Sequence, residues 1–148
     1  MATESPLFHD GSQTISVADY RNSTNTGTTH MGPSGSAQFQ AVRLSTLVDR
    51  TVLLCTATGQ PIYGILQNKP QLGEAADVGF FGVSKVICGA TASITSGVKL
   101  MADSSGCMIA YSSAAGQASC GFAIETPSAP SAVFTAFIYG GAGPGSIA

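Results

Sequence analysis

From Gln38 to Tyr139 the chain is a succession of short apolar runs set off by clusters of Gly, Pro, Ser and Asp. Runs of that kind predict strands, at roughly 40–46, 51–58, 61–68, 75–88, 98–102, 106–111, 119–125 and 132–139. Long stretches with a 3.6-residue period are nearly absent, and strands recurring about every 8–12 residues favour a barrel or compact sandwich. Residues 39–50, with Phe39, Val42 and Leu47, also fit a short helix, and that reading stays open. The expected class is all-β. Within 75–88, Ala76, Val78 and Phe80 share one strand face and Asp77 the other. Phe80-Phe81-Gly82 then breaks the alternation, which predicts a bulge or bend before Val83, Lys85 and Ile87.

The first 40 residues follow a different pattern. They hold twelve Ser/Thr but only three of the Leu/Ile/Val class, Leu7, Ile15 and Val17, too few to enclose a core. Thr14–Tyr20 alternates enough to lay down one strand against something, and NSTNTGTTHMGPSGS after Arg21 reads as a tether that a partner orders. The expected organisation is therefore an extended Ser/Thr-rich arm over 1–37, a β domain over 38–140 and a flexible Gly-rich tail over 141–148. The sparse anchors of the arm, Leu7, Phe8, Ile15, Val17 and Tyr20, are the candidate contact residues, since strand addition to an exposed sheet edge needs no prebuilt pocket.

A faint internal echo runs through the β region. Gly64 is followed by Pro70 and Phe80 at the same intervals at which Gly121 is followed by Pro127 and Phe137, and Ala76 corresponds to the apolar Val133. Two strand–Pro-loop–strand units would let a sheet curl on itself, each glycine allowing a neighbouring backbone to come close.

Composition narrows the function classes. Charged residues make up only 9% of the 148, with 44% hydrophobic residues and a mean hydropathy of +0.27. So few charges cover a monomer's surface poorly, and a surface hidden by partners, including a homotrimer, is expected. The hydrophobic content argues against disorder of the whole chain, and no run approaches the roughly 20 apolar residues of a spanning helix. A net charge of −2, with six Lys/Arg scattered from Arg21 to Lys99, gives no stripe for nucleic acid. MATESPLFHDGS has neither the basic nor the apolar region of a secretory signal, so the Asn22-Ser23-Thr24 sequon reads as a chance match.

Candidate chemistry is thin. Glu74 and Asp77 follow the Pro70–Gly73 loop and are three residues apart, but a catalytic carboxylate pair needs a cleft and a positioning shell. They read as charges that keep a hairpin end wet and unattractive to other strands, with Lys69 and Lys85 as neighbours. There is no G-x-S-x-G elbow, and the two histidines, His9 and His30, both lie in the arm. Cys55, Cys88, Cys107 and Cys120 contain no C-x-x-C pair and read as buried free thiols rather than a zinc site. GGAGPGS near the end has no helix behind it and makes no phosphate cradle. No catalytic, cofactor or metal residues are expected.

A set of elements in order then carries a resemblance. Gly64–Ala76 is a G-[IV]-x-x-N-K-P-x-x-G-E-A-A-like hairpin, followed by GVSKV at Gly82–Val86. An x-G-V-x-L-x-x-D-x-x-G-like hairpin spans Ser96–Gly106, and a G-x-A-x-E strand, Gly121–Glu125, precedes a last apolar strand. Over about residues 60–140 this resembles the small β-rich capsid decoration, or cement, proteins of tailed bacteriophages. The resemblance implies a non-enzymatic virion protein of compact β-tulip or barrel-like fold. It would be synthesised in the host cytoplasm and sit as a trimer on the outside of the head, bound to the major capsid protein and holding capsomers together. The four cysteines and the long arm are departures from that pattern. A tail or head-completion component would share the β domain, and a small hydrolase would require a polar pocket near Glu74 and Asp77.

Overall fold

The computed structural model of the chain describes residues 13–17, 19–20, 38–46, 51–70, 76–90 and 93–139. Every regular element among them is a strand: β1 (Gln13–Val17), β2 (Asp19–Tyr20), β3 (Ala41–Leu44), β4 (Thr51–Leu54), β5 (Gly64–Leu66), β6 (Ala76–Ile87), β7 (Lys99–Ala102), β8 (Met108–Ala110), β9 (Gly121–Ala123) and β10 (Val133–Ile138). All eight strands expected after residue 40 are present, most of them shorter than their apolar runs. In place of the helix that 39–50 also fitted, the described part forms β3, where consecutive Ala41 and Val42 are both fully buried in different clusters. A strand sends neighbours to opposite faces, so one run can serve two layers.

The strands form one sheet in the order β2-β4-β3-β5-β6-β10-β9-β7-β8, with β1 also paired to β6. All pairings are antiparallel except the two-residue match of β2 with β4. The far edge returns to the centre: Cys88, just past β6, bridges Met108 of β8, and the Gly89 N–H donates to the Met108 carbonyl at 2.8 Å. The second half of the sheet thus curls into a barrel-like layer.

β6 turns the corner between the halves. Its first half pairs with β1 and β5, its second with β10. Opposite β1 the register slips, Thr14 facing Gly79 and Gln13 facing Phe81, and Gly82 then takes φ of 107°, a region that glycine enters without steric cost. Beyond this bend Ser84 Oγ accepts from Gln67 Nε2 at 3.0 Å and the Ile87 N–H donates to the Phe39 carbonyl at 3.2 Å. The strand has come back over the edge of the β3–β5 pair, as strands do when they switch layers at a bulge. The predicted bend is there, but the inward face does not change: Ala76, Val78 and Val86 are buried, and Val83 points out.

Burial divides into two clusters. The larger one, inside the curl, includes Ile65, Val86, Leu100, Met108, Phe134 and Ile138. The smaller joins Val42, Val52, Leu54, Leu66, Ala76 and Val78, with Tyr63 against it. Ala41/Val42 of β3 and Ile65/Leu66 of β5, buried on both faces, therefore read as unbroken apolar pairs rather than alternations. Cys55, Cys88 and Cys120 are buried in the larger cluster as small apolar fillers, Cys107 is half-buried, and all four are free thiols. Burial is the main cause that pushes Cys55 up to about 11 and Cys120 to about 12, so both remain neutral at ordinary pH.

The internal echo corresponds to two antiparallel hairpins, β5–β6 and β9–β10. A Cβ on Gly64 would come within 2.6 Å of the Gly79 carbonyl, and one on Gly121 would fall against the Phe137 carbonyl. Each glycine lets its strand press onto the next. The likeness ends at the partner positions, because Ala76 is buried while Val133 is exposed.

Candidate interaction surfaces

Three of the five arm anchors have their backbones in the chain's own sheet. Ile15 faces Val78 and Val17 faces Ala76 in the β1–β6 pair, and Tyr20 faces Val52 in the β2–β4 pair. The strand expected at Thr14–Tyr20 is thus split into β1 and β2. Leu7 and Phe8 lie outside the described residues, as do His9, His30 and the glycine-rich tail.

At the β5–β6 hairpin, Glu74 also lies outside the described residues. Asn68 Oδ1 accepts from the Asp77 backbone N–H at 3.0 Å, tying the two strands at the loop end, and Lys69 is exposed. Lys85 lies past the bend, where its Nζ donates to Thr135 Oγ1 at 2.9 Å. Asp77 and Lys85 thus serve different neighbours on one strand.

Asp103, in the second hairpin of the sequence pattern, has a structural use. Its Oδ1 accepts from the N–H groups of Ser105 and Cys107, at 2.7 and 2.9 Å, and so shapes the β7–β8 turn. That turn docks on β3: the Ala41 N–H donates to the Gly106 carbonyl and Gln40 Nε2 to the Ser105 carbonyl, both at 2.7 Å. Among the described residues no group of three His, Cys, Asp or Glu side chains could hold a metal, and no helix is long and apolar enough to cross a membrane.

Two surface features escaped the sequence reading. One is an open groove of about 550 Å³, lined by Arg43, Leu44, Thr46, Thr56, Gln60, Pro61, Ile62 and Tyr63. Tyr63 stacks on Phe80 with ring centres 6.3 Å apart. Topology alone brings β3 and the β4–β5 loop together here, and no local motif signals it.

The other is the outer face of β6, β10 and β9. Register aligns Val83, Phe137 and Phe122 in one cross-strand row that ends on Lys99 of β7. Phe122 stacks on Phe137 at 5.2 Å, and Phe81 meets Phe137 edge-on at 5.3 Å. Val83 is 55% exposed, Val133 51%, and Phe81, Phe122 and Ile124 40% each. Beside this row Thr135 faces Lys85 and donates its N–H to Glu125 Oε2 at 2.9 Å. Hydrogen bonds from Thr135, aided by Lys85, hold the Glu125 carboxyl below its usual range. The signal in the sequence was the apolar residues at odd positions of β6 and β10.

The arrangement defines an all-β, barrel-like module whose conspicuous surface is apolar. No family model matches the chain, and no curated protein matches it. Among solved structures it is similar to the N base of the head fibre protein gp8.5 of bacteriophage phi29, with a TM-score of 0.58. The likeness covers 87% of this chain and 98% of that one at 14% identity, a likeness of fold.

Proposed function

We propose that the protein is a structural, non-enzymatic component of a bacteriophage head. It decorates the capsid exterior as a homotrimer bound to the major capsid protein and stabilises capsomers. The observation that carries this reading is the likeness of fold, over nearly the whole of both chains, to the base of a fibre on a phage head. The ordered hairpins between Gly64 and Glu125 point the same way. Pairing of residues 13–17 and 19–20 with the chain's own sheet gives the arm a fixed root, and Leu7 and Phe8 are the anchors that reach the shell.

The test is retention on purified heads in a co-sedimentation assay, comparing the full chain with one lacking Ala2–Asp10. The shortened chain should fold as before and be lost from the heads. Equal retention would show that the β domain alone supplies the contact. Copy number in purified virions separates decoration, one copy set for each capsomer site, from a head-completion or tail role confined to one vertex.

A further inference from the structure

We infer that the outer aromatic face of β6, β10 and β9 joins copies of this chain to one another. The inference rests on the oligomeric part of the reading above and is independent of its head-surface part. A one-sided antiparallel sheet ordinarily turns polar residues to water. Here the outward row Val83–Phe137–Phe122 is apolar across three strands, with Phe81 against it and Ile124 and Val133 beyond. Side chains exposed to this degree amount to roughly 400–500 Å² of apolar surface, the size of the largest patch on a typical monomer, which is often a functional one. The rings are already stacked on one another, so docking orders few side chains that were free before.

The rim indicates the occupant. It carries both signs of charge, with Lys85 and Glu125 on either side of Thr135 and Lys99 at the end of the phenylalanine row. Around a threefold axis a face holding both signs can set its cations against the carboxylates of the neighbouring copy, and needs no partner of opposite net charge. The apolar patch is about half of the roughly 800 Å² that a stable contact takes from each partner, and the polar rim around it must supply the rest. The apolar row supplies the centre of such a contact and the charged rim its border, in a chain with only 9% charged residues in all to keep copies apart.

The experiment is sedimentation equilibrium on the full chain and on Val83→Lys, Phe122→Asp and Leu44→Ser, with circular dichroism to verify folding. Leu44, exposed in the groove, is the control. The full chain and Leu44→Ser should sediment as the same oligomer. Val83→Lys and Phe122→Asp should be folded monomers, their self-association weakened by at least about thirtyfold. A monomeric full chain, unchanged mass in the two face variants, or dissociation of Leu44→Ser would overturn the inference. Should either charged variant fail to fold, Val83→Thr replaces it and must still weaken association; unchanged association overturns the proposal. Face variants that remain oligomeric but leave purified heads would assign the face to the capsid instead. Dissociation to folded monomers in a protein that never binds heads would support this contact and remove the head-surface reading.

Discussion

The two halves of β6 put apolar residues to different uses. In the first half, as in β3 and β5, apolar side chains fill clusters inside the protein, and Ala41/Val42 and Ile65/Leu66 are hidden on both faces. In the second half Gly82 and Val86 are hidden, whereas Val83 is placed outward beside Phe137 and Phe122 with no layer over it. Hydrophobicity along the chain is similar in the two regions. Layering distinguishes them: an apolar residue is core where a second layer covers it and an adhesive surface where none does.

The sharpest way to break this comparison is to remove a buried ring. Phe134→Ala opens the larger cluster and should cost about 3–5 kcal/mol in denaturant unfolding, whereas Phe122→Ala, on the outer face of the same layer, should leave the monomer within about 0.5 kcal/mol. A similar cost at both positions would mean that the outer face is part of the core. Val86→Ala and Val83→Ala make the same test on a single strand. The first should lose about 2 kcal/mol of stability and the second almost none, with association the only property of Val83→Ala that changes.

Next in size are the glycines of the two hairpins. Gly121→Ala and Gly64→Ala each press a methyl onto a neighbouring backbone and should cost about 1–3 kcal/mol in thermal or denaturant unfolding. If only one of the pair is costly, the hairpins are not physical equivalents.

Thiol reagents compare interior with rim directly. In the native protein half-buried Cys107 should react first, and Cys55, Cys88 and Cys120 only on unfolding, counted with a chromogenic disulfide. The smallest effect concerns pH. The Glu125 carboxyl is held low in the folded state, so its contribution is present above its usual value of 4.5 and is lost as pH falls through the folded value. Glu125→Gln should flatten that part of the acid limb in melting experiments and leave neutral stability almost unchanged.

The sequence made the strands legible because Gly, Pro, Ser and Asp mark their ends, and the break at Phe80-Phe81-Gly82 marked a real corner. The pattern left open which face follows the bend, and the structure shows that β6 is redirected and keeps Val86 inside. The partners of β1 were illegible because a two-residue period specifies a face, never the strand alongside. The use of Asp103 was not legible, because the turn it shapes docks on β3, a strand far away in sequence. The groove at Arg43 and Tyr63 needs residues from either side of β4, a proximity that no local motif encodes.

The corner in β6 has a consequence for engineering. Gln13, at the start of the first strand, faces Phe81, and Ile138, at the end of the last, faces the adjacent Gly82. Two cross-strand steps and one residue along the backbone separate them, at most about 15 Å. A short Gly/Ser linker can therefore join those two strand ends, and new termini can be opened at the exposed turn around Ala115 and Gly116. Such a circular permutant would retain every described strand pairing and open its new ends at the Ala115–Gly116 turn rather than beside Phe81, giving any fused cargo a single, different exit.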